Sequence, residues 1–176
     1  LEKLDHTDKP RLYLFLGSTL GNFNNGTAIK FLSNISKKMK KNDFLLLGVD
    51  KIKNKKIIKA AYNDEAGITE KFNKNILNVI NKEYDLNFNP KMFSHVAEFN
   101  EDKNQIEMYL KAISNQKINS HIENIEINLG EKILTEISRK FSDSSIDEIF
   151  QNSGLEIVQD FRDEKNYYSI YLLKSI

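Results

Sequence analysis

Glu136 and Ser138 stand two residues apart in "TEISRKF", Thr135 to Phe141. If this stretch is a strand, alternate residues share a face. The carboxylate and the hydroxyl then point one way, while Ile133 and Ile137 point the other. An acceptor beside a donor suits a small ring with two polar atoms. The plainer account is the solvated outer face of an amphipathic strand, and pattern alone favours it. A second stretch, "GSTLGN" from Gly17 to Asn22, follows the apolar run "LYLFL". Gly17 and Gly21 permit tight turns and close backbone approach, and Asn22 offers both a donor and an acceptor. In open parallel sheets, ligands sit beyond the carboxyl ends of the strands. Here too a plain strand-to-helix turn is the simpler account from residue types alone. The stretch is not G-x-G-x-x-G, a P-loop or G-x-S-x-G.

Other residues have a bland explanation beside the functional one. Tyr62, in "AAYNDEAG", is a ligand hydroxyl or, more commonly, a half-buried aromatic. Met108, in "QIEMYL", is most simply core. Asp50 is a carboxylate at the ligand edge of a sheet or only a turn residue. The run from Lys51 to Lys56 reads as a solvated face, and Tyr167, Tyr168 and Tyr171 read as strand surface. No residue stands out as a nucleophile or general base.

These residues need elements to position them. Leu12 to Leu16 reads as a short strand buried on both faces. Ile29, Phe31, Leu32, Ile35 and Met39 recur at helical spacing over Thr27 to Lys40, and "DFLLLGVD" (Asp43 to Asp50) is a second apolar strand. Strand, helix and strand with short joints predict a βαβ unit of a parallel sheet. The texture then changes. Asn54 to Tyr62 is a short helix. Ala66 to Glu83 is a longer one with Ile68, Phe72, Ile76, Leu77, Val79 and Ile80 on its apolar side. Phe93 to Phe99 and Gln105 to Ile113 form a hairpin around "NEDKN". "HIENIEINL" and "EKILTEIS" read as another strand pair turning at Leu129-Gly130. Near the end, Ser142 to Ser145 offer N-caps to a helix over Ile146 to Asn152, which Gly154 can stop. "LEIVQDF" and "NYYSIYLLK" follow as antiparallel neighbours. The stretch from Lys53 to about Phe141 therefore reads as an α+β insertion into a sheet domain that begins before it and ends after it.

Composition narrows the chemistry. The chain has 176 residues, 40% hydrophobic and 29% charged, with a net charge of +1. That balance makes no electrostatic case for nucleic acid or an anionic membrane. With no cysteine, there is neither disulfide nor thiolate chemistry. His6, His95 and His121 are far apart without ligand spacing, so no metal site is expected. No apolar run approaches the roughly 20 residues that span a bilayer. No signal peptide is visible at this start, and a cytoplasmic location is expected. The chain begins at Leu1, and the natural protein is expected to begin further upstream.

Taken in order, "LFLGSTLGNF", "DFLLLGVD", "AAYNDEAGITEKFNKNIL", "IEMYL" and "TEISRKF" resemble the histidine-specific Nα-methyltransferases of ergothioneine biosynthesis. "YNDEAGIT..FN.N" and "TE.S.KF" are the specific parts, while "FSDSSIDEIFQNSGLEIV" resembles the tail of many class I methyltransferases. The resemblance implies an α/β fold, a Rossmann-like class I methyltransferase sheet interrupted by an α+β substrate-binding domain. Residues 1–52 and 142–176 would be parts of the methyltransferase core, and residues 53–141 the substrate-binding insertion. It implies S-adenosylmethionine as cofactor and L-histidine as substrate, methylated on its α-amino nitrogen by in-line displacement toward the trimethylated betaine. By the same resemblance, Asn22 and Tyr62 hold the amino and carboxylate end of the substrate, and Gly17 lines that pocket. Glu136 and Ser138 grip the imidazole, and Met108 walls the ring. The alternatives are a related methyltransferase acting on another small amine, or a non-catalytic binding module that kept the substrate fold.

The family binds its cofactor mainly through a strand and glycine-rich turn followed by an acidic residue near the ribose. The ten residues before Arg11 are too few to contain them. The chain is therefore expected to be the C-terminal portion of a longer enzyme and to have little or no activity alone. An open sheet edge and apolar face are expected to promote self-association.

Overall fold

A computed structural model describes residues 9–121 and 124–176. His6, within residues 1–8, and Ile122 and Glu123 of "HIENIEINL" lie outside the described residues. In chain order the elements are β1 (Leu12–Phe15), α1 (Asn25–Ser36), β2 (Phe44–Asp50), α2 (Lys55–Tyr62), α3 (Ile68–Tyr84), β3 (Phe93–Asn100) and β4 (Gln105–Ala112). Then come β5 (Gln116–Ile118), β6 (Ile125–Ile127), β7 (Lys132–Arg139), α4 (Asp143–Asn152), β8 (Leu155–Arg162) and β9 (Tyr168–Ser175). Short 3-10 turns occupy Thr19–Asn22 and Pro90–Met92. The chain divides into two compact units, residues 1–53 with 138–176, and residues 54–137.

In the first unit, β1 and β2 pair in parallel, with Leu12 opposite Phe44, and α1 connects them. The sheet order is β1-β2-β9-β8, and β9 runs antiparallel to both of its neighbours. Leu45, Leu47 and Val49 of β2 are buried together with Leu32 of α1, Phe150 of α4 and Leu173 of β9. Asn24 caps α1 by accepting from the Thr27 N–H at 2.9 Å. The helix stops at Ser36 rather than Lys40. Beyond it the buried Asp43 carboxylate accepts from the N–H groups of Lys40 at 2.9 Å and Arg11 at 2.8 Å. A turn that satisfies its own donors in this way competes successfully with another helical turn.

Several sequence expectations need correction. β1 is an edge strand among the described residues. Tyr13 and Phe15 pack on the core, but Leu12, Leu14 and Leu16 on the alternate face are exposed, so the strand is not buried on both faces. Tyr171 is core, not strand surface. It is 1% exposed, with its ring edge-on to Phe150. Lys51 is not part of a solvated run. It is buried, paired with Asp143, and donates to the Tyr171 hydroxyl at 3.2 Å. A lysine stem packs like a hydrocarbon when its head finds partners.

In the second unit, β3, β4 and β7 form a sheet in the order β3-β4-β7. The hairpin around "NEDKN" is antiparallel, with Asn100 opposite Gln105. β6 does not pair with β7. It forms a small antiparallel ribbon with β5, Gln116 facing Ile127. The reason lies at the turn. Gly130 donates to the Ala112 carbonyl and Ala112 to the Glu131 carbonyl, both at 2.9 Å, which delivers β7 to β4. On α3, Leu77 is buried and Ile80 packs against the core. Ile68, Phe72, Ile76 and Val79 are exposed, because the apolar face is wider than the strip the neighbouring strands cover. Asp64 caps α3 through Ile68 and Thr69. The Thr69 side chain and these backbone donors bring its carboxyl down to about 2.

Burial would raise the Asp43 carboxyl, but the backbone N–H groups of Lys40 and Arg11 outweigh it and hold the group below its ordinary 3.8. Asp43→Ala is expected to cost roughly 1–3 kcal/mol at neutral pH, because two donors lose their acceptor. The folded value is the lower one. The contribution is therefore present above the unfolded value and lost as pH falls through the depressed folded value. Denaturant melts of wild type and variant should converge as pH is lowered below about 4.

Candidate functional site

In the first unit, the carboxyl ends of β1 and β2 meet the turn from Gly17 to Asn22. Gly17 takes φ +79 and Ser18 φ +60, both left-handed. The Ser18 hydroxyl accepts from the Asp50 N–H at 2.8 Å, tying the turn to the end of β2. Gly21 is buried. A Cβ there would stand 2.8 Å from the Arg139 carbonyl oxygen and 3.6 Å from Ser138 Oγ. Only glycine lets the turn lie so near the end of β7. Asn22 closes the 3-10 turn with its side chain exposed. The turn that carries Gly17 and Asn22 thus passes beside Ser138 at Gly21.

A charged cluster underlies it. Lys140, with a side chain 0% exposed, stands 2.9 Å from Asp50 Oδ2. The same ammonium donates to Ser138 Oγ at 3.0 Å. Lys53 pairs with the other Asp50 oxygen and donates to the Tyr167 carbonyl at 3.1 Å. One carboxylate is thereby shared by two ammonium groups, and Ser138, itself buried, is a further partner of Lys140.

Tyr62, Met108 and Glu136 belong to the second unit. Tyr62 is the half-buried last residue of α2, and His95 Nε2 lies 2.8 Å from its carbonyl oxygen. The Asn73 amide donates to the Tyr109 carbonyl at 3.2 Å and lies 2.9 Å from His95 Nδ1. These partners assign the neutral tautomer, with the proton on Nε2 donated to Tyr62. Met108 is buried in β4, and its carbonyl accepts from Thr135 Oγ1 at 3.0 Å. Glu136 is half-buried in β7. It borders a pocket of about 240 Å3 walled by Phe72, Asn73, Ile76 and Val79 of α3 and by Thr135. A carboxylate beside apolar walls can accept a ring N–H while the ring body packs against carbon.

Two features escaped the sequence reading. Lys140 shares the even-numbered parity of Glu136 and Ser138, and that parity was a usable signal. The Asn73–His95 pair, 22 residues apart, carried none. Among the described residues, no group of three or more His, Asp or Glu side chains is gathered to hold a metal ion. No helix of the described residues is long and apolar enough to cross a membrane.

A family model described as histidine-specific methyltransferase, SAM-dependent, matches residues 1–175. A histidine N-alpha-methyltransferase of Mycolicibacterium smegmatis is 38% identical over 157 residues, covering 88% of this chain and 49% of that protein. Its namesake in Mycobacterium tuberculosis is 35% identical over 164 residues, covering 92% and 51%. Ergothioneine biosynthesis protein 1 of Schizosaccharomyces pombe is 28% identical over 161 residues, covering 91% and 21%. The chain spans about half the length of the mycobacterial relatives it matches. Among solved structures, the CcbJ methyltransferase from Streptomyces caelestis aligns with a TM-score of 0.50 at 11% identity, covering 98% of this chain and 60% of that one. At that identity the likeness shows a shared fold.

A nucleoside cofactor in such a fold needs a carboxylate for its ribose hydroxyls at the end of a parallel strand. Asp50 stands at the end of β2, but Lys53 and Lys140 engage both of its oxygens. Its charge is thereby already offset by two ammonium groups.

Gly21→Ala is expected to cost about 1–3 kcal/mol, because the added methyl meets backbone rather than a movable side chain. Gly26→Ala, where a Cβ meets its nearest atom at 3.7 Å, is expected to be neutral or stabilising by up to about 1 kcal/mol. Urea melts of the two variants check both expectations.

Proposed function

The chain belongs to the histidine-specific, S-adenosylmethionine-dependent methyltransferases, and from that membership we propose that it forms the substrate-holding part of an enzyme that methylates the α-amino nitrogen of L-histidine. The observation that carries this reading is the family match across residues 1–175. Relatives named for the same reaction, at 35% and 38% identity, add to it. The chain covers 51% and 49% of those relatives, and the cofactor would be held mainly by residues outside 1–176. The parallel β1–β2 pair and the antiparallel β9–β8 end support a Rossmann-like class I sheet built from residues 1–52 and 142–176. Residues 53–141 would be its α+β substrate-binding insertion.

Within this reading each residue has one task. Asn22 and Tyr62 hold the amino and carboxylate end of histidine, and Gly17 lines the same place. Glu136 accepts the ring N–H, Ser138 donates to the other ring nitrogen, and Met108 walls the ring. The amine nitrogen is nucleophilic only when its lone pair is free, so the site must favour the unprotonated amine and aim it. The chain's contribution is positioning, which can account for a large share of a displacement barrier. Successive transfers toward the trimethylated betaine require Asn22 and Tyr62 to keep their hold as methyl groups replace hydrogens.

Calorimetric titration with L-histidine, with and without S-adenosylhomocysteine, tests the reading in the longest product the gene encodes. Glu136→Ala is expected to weaken binding by at least about 10-fold, or about 1.4 kcal/mol. Absence of histidine binding in the wild type would overturn the proposed substrate. An unchanged Kd in the variant would remove Glu136 from the ring site.

A further inference from the structure

A chain of hydrogen bonds crosses the second unit from the Tyr109 carbonyl to the Tyr62 carbonyl. A carbonyl oxygen only accepts, so the two ends fix the polarity of the whole chain. At one end the Asn73 amide presents its NH2 group to Tyr109 at 3.2 Å. The same nitrogen lies 2.9 Å from His95 Nδ1, which therefore accepts. At the other end His95 Nε2 carries the proton and donates to the Tyr62 carbonyl at 2.8 Å. Only a neutral ring completes the chain. An imidazolium would set its Nδ1–H against the Asn73 amide, and turning that amide would set its oxygen against the Tyr109 carbonyl. We propose that His95 is a positioning residue that holds the end of α2 where Tyr62 meets the substrate, so that affinity for histidine depends on the bond from Nε2 to the Tyr62 carbonyl. The inference rests on reading Tyr62 as a holder of the amino and carboxylate end of histidine.

α2 is a helix that needs such a fastening. It is eight residues long, and Ile58 is its one buried residue. A helix so short is marginal without outside contacts. Its first turn is capped by a neighbour in sequence, Asn54, which accepts from the Lys56 N–H at 2.8 Å. The last carbonyls of a helix find no donor within it, and here a ring from β3 supplies one. Two residues beyond Tyr62, Asp64 accepts from the N–H groups of Ile68 at 2.9 Å and Thr69 at 2.8 Å. The link between α2 and α3 is thus fastened on both sides. The bridge acts on the main chain of Tyr62 and asks nothing of its hydroxyl. Glu70 of α3 lies within electrostatic reach of His95, but Lys74 pairs with it at 2.6 Å and offsets its charge. A side chain that holds a ligand is placed no better than the backbone that carries it.

Two measurements on the longest product the gene encodes test this. In nitrogen NMR spectra, His95 is expected as the Nε2–H tautomer, and an Nδ1–H ring would overturn the proposal. L-histidine is then titrated into variants that separate the two halves of the bridge. His95→Gln can still donate to the Tyr62 carbonyl. His95→Asn reaches Asn73 but not Tyr62, and His95→Phe fills the slot with neither bond. His95→Asn and His95→Phe are expected to bind about 3–10-fold more weakly, the loss of one hydrogen bond, and His95→Gln within about 2-fold of wild type. Equal weakening in His95→Gln and His95→Asn would make His95 structural only and overturn the proposal, as would an unchanged Kd in His95→Asn. Should His95→Phe not fold, the other two variants carry the same comparison. If the wild type binds no histidine, the proposed substrate falls, and amide exchange of α2 decides the rest. Exchange faster in His95→Asn but not in His95→Gln supports the fastening, and equal rates overturn it.

Discussion

A buried charge must have partners, since leaving one unpaired costs more than the interaction it lost. Lys140 imposes that demand on the first unit. Its ammonium requires Asp50 at the end of β2, and Asp50 is held there by the Ser18 hydroxyl on its N–H. Ser18 lies in the left-handed turn after β1, which continues into Gly21 against the Arg139 backbone. Three segments far apart in the chain thus share one electrostatic requirement. The conformation of the turn and the identity of Gly21 follow from the closeness it enforces.

The second unit relies on a neutral anchor instead. His95 bridges Asn73 and the Tyr62 carbonyl, fixing the end of α2 by side chains rooted in α3 and β3. Asn73 is 4% exposed, so its amide must find internal partners, and it does so at His95 and the Tyr109 carbonyl. Each candidate residue there is carried by, or ends, a regular element rather than a long loop. Such placement limits the conformational freedom lost when a ligand is bound.

Much of the architecture was legible in order and spacing. The apolar runs at Leu12–Leu16 and Asp43–Asp50 and the helical period between them specified a parallel βαβ unit. Ser142 announced α4, where it forms a reciprocal cap with Ser145. What could not be read is whatever depends on a distant neighbour. The ribbon of β5 with β6 hinges on how Gly130 and Glu131 bond to Ala112. The exposure of Phe72 and Ile76 depends on how wide a strip the strands cover. The burial of Lys51 and Tyr171 depends on Asp143 and Phe150, which sit far along the chain.

For the site, residue order alone carried the family likeness and the chemical types: an amide, a phenol, a carboxylate and a hydroxyl. Strand parity alone paired Glu136 with Ser138. Only tertiary structure decided that Gly21 lies against Ser138 and Arg139, and that Lys140 donates to the hydroxyl. Composition names donors and acceptors. The direction of a hydrogen bond depends on which groups come within about 3 Å, and only the packed chain sets those distances.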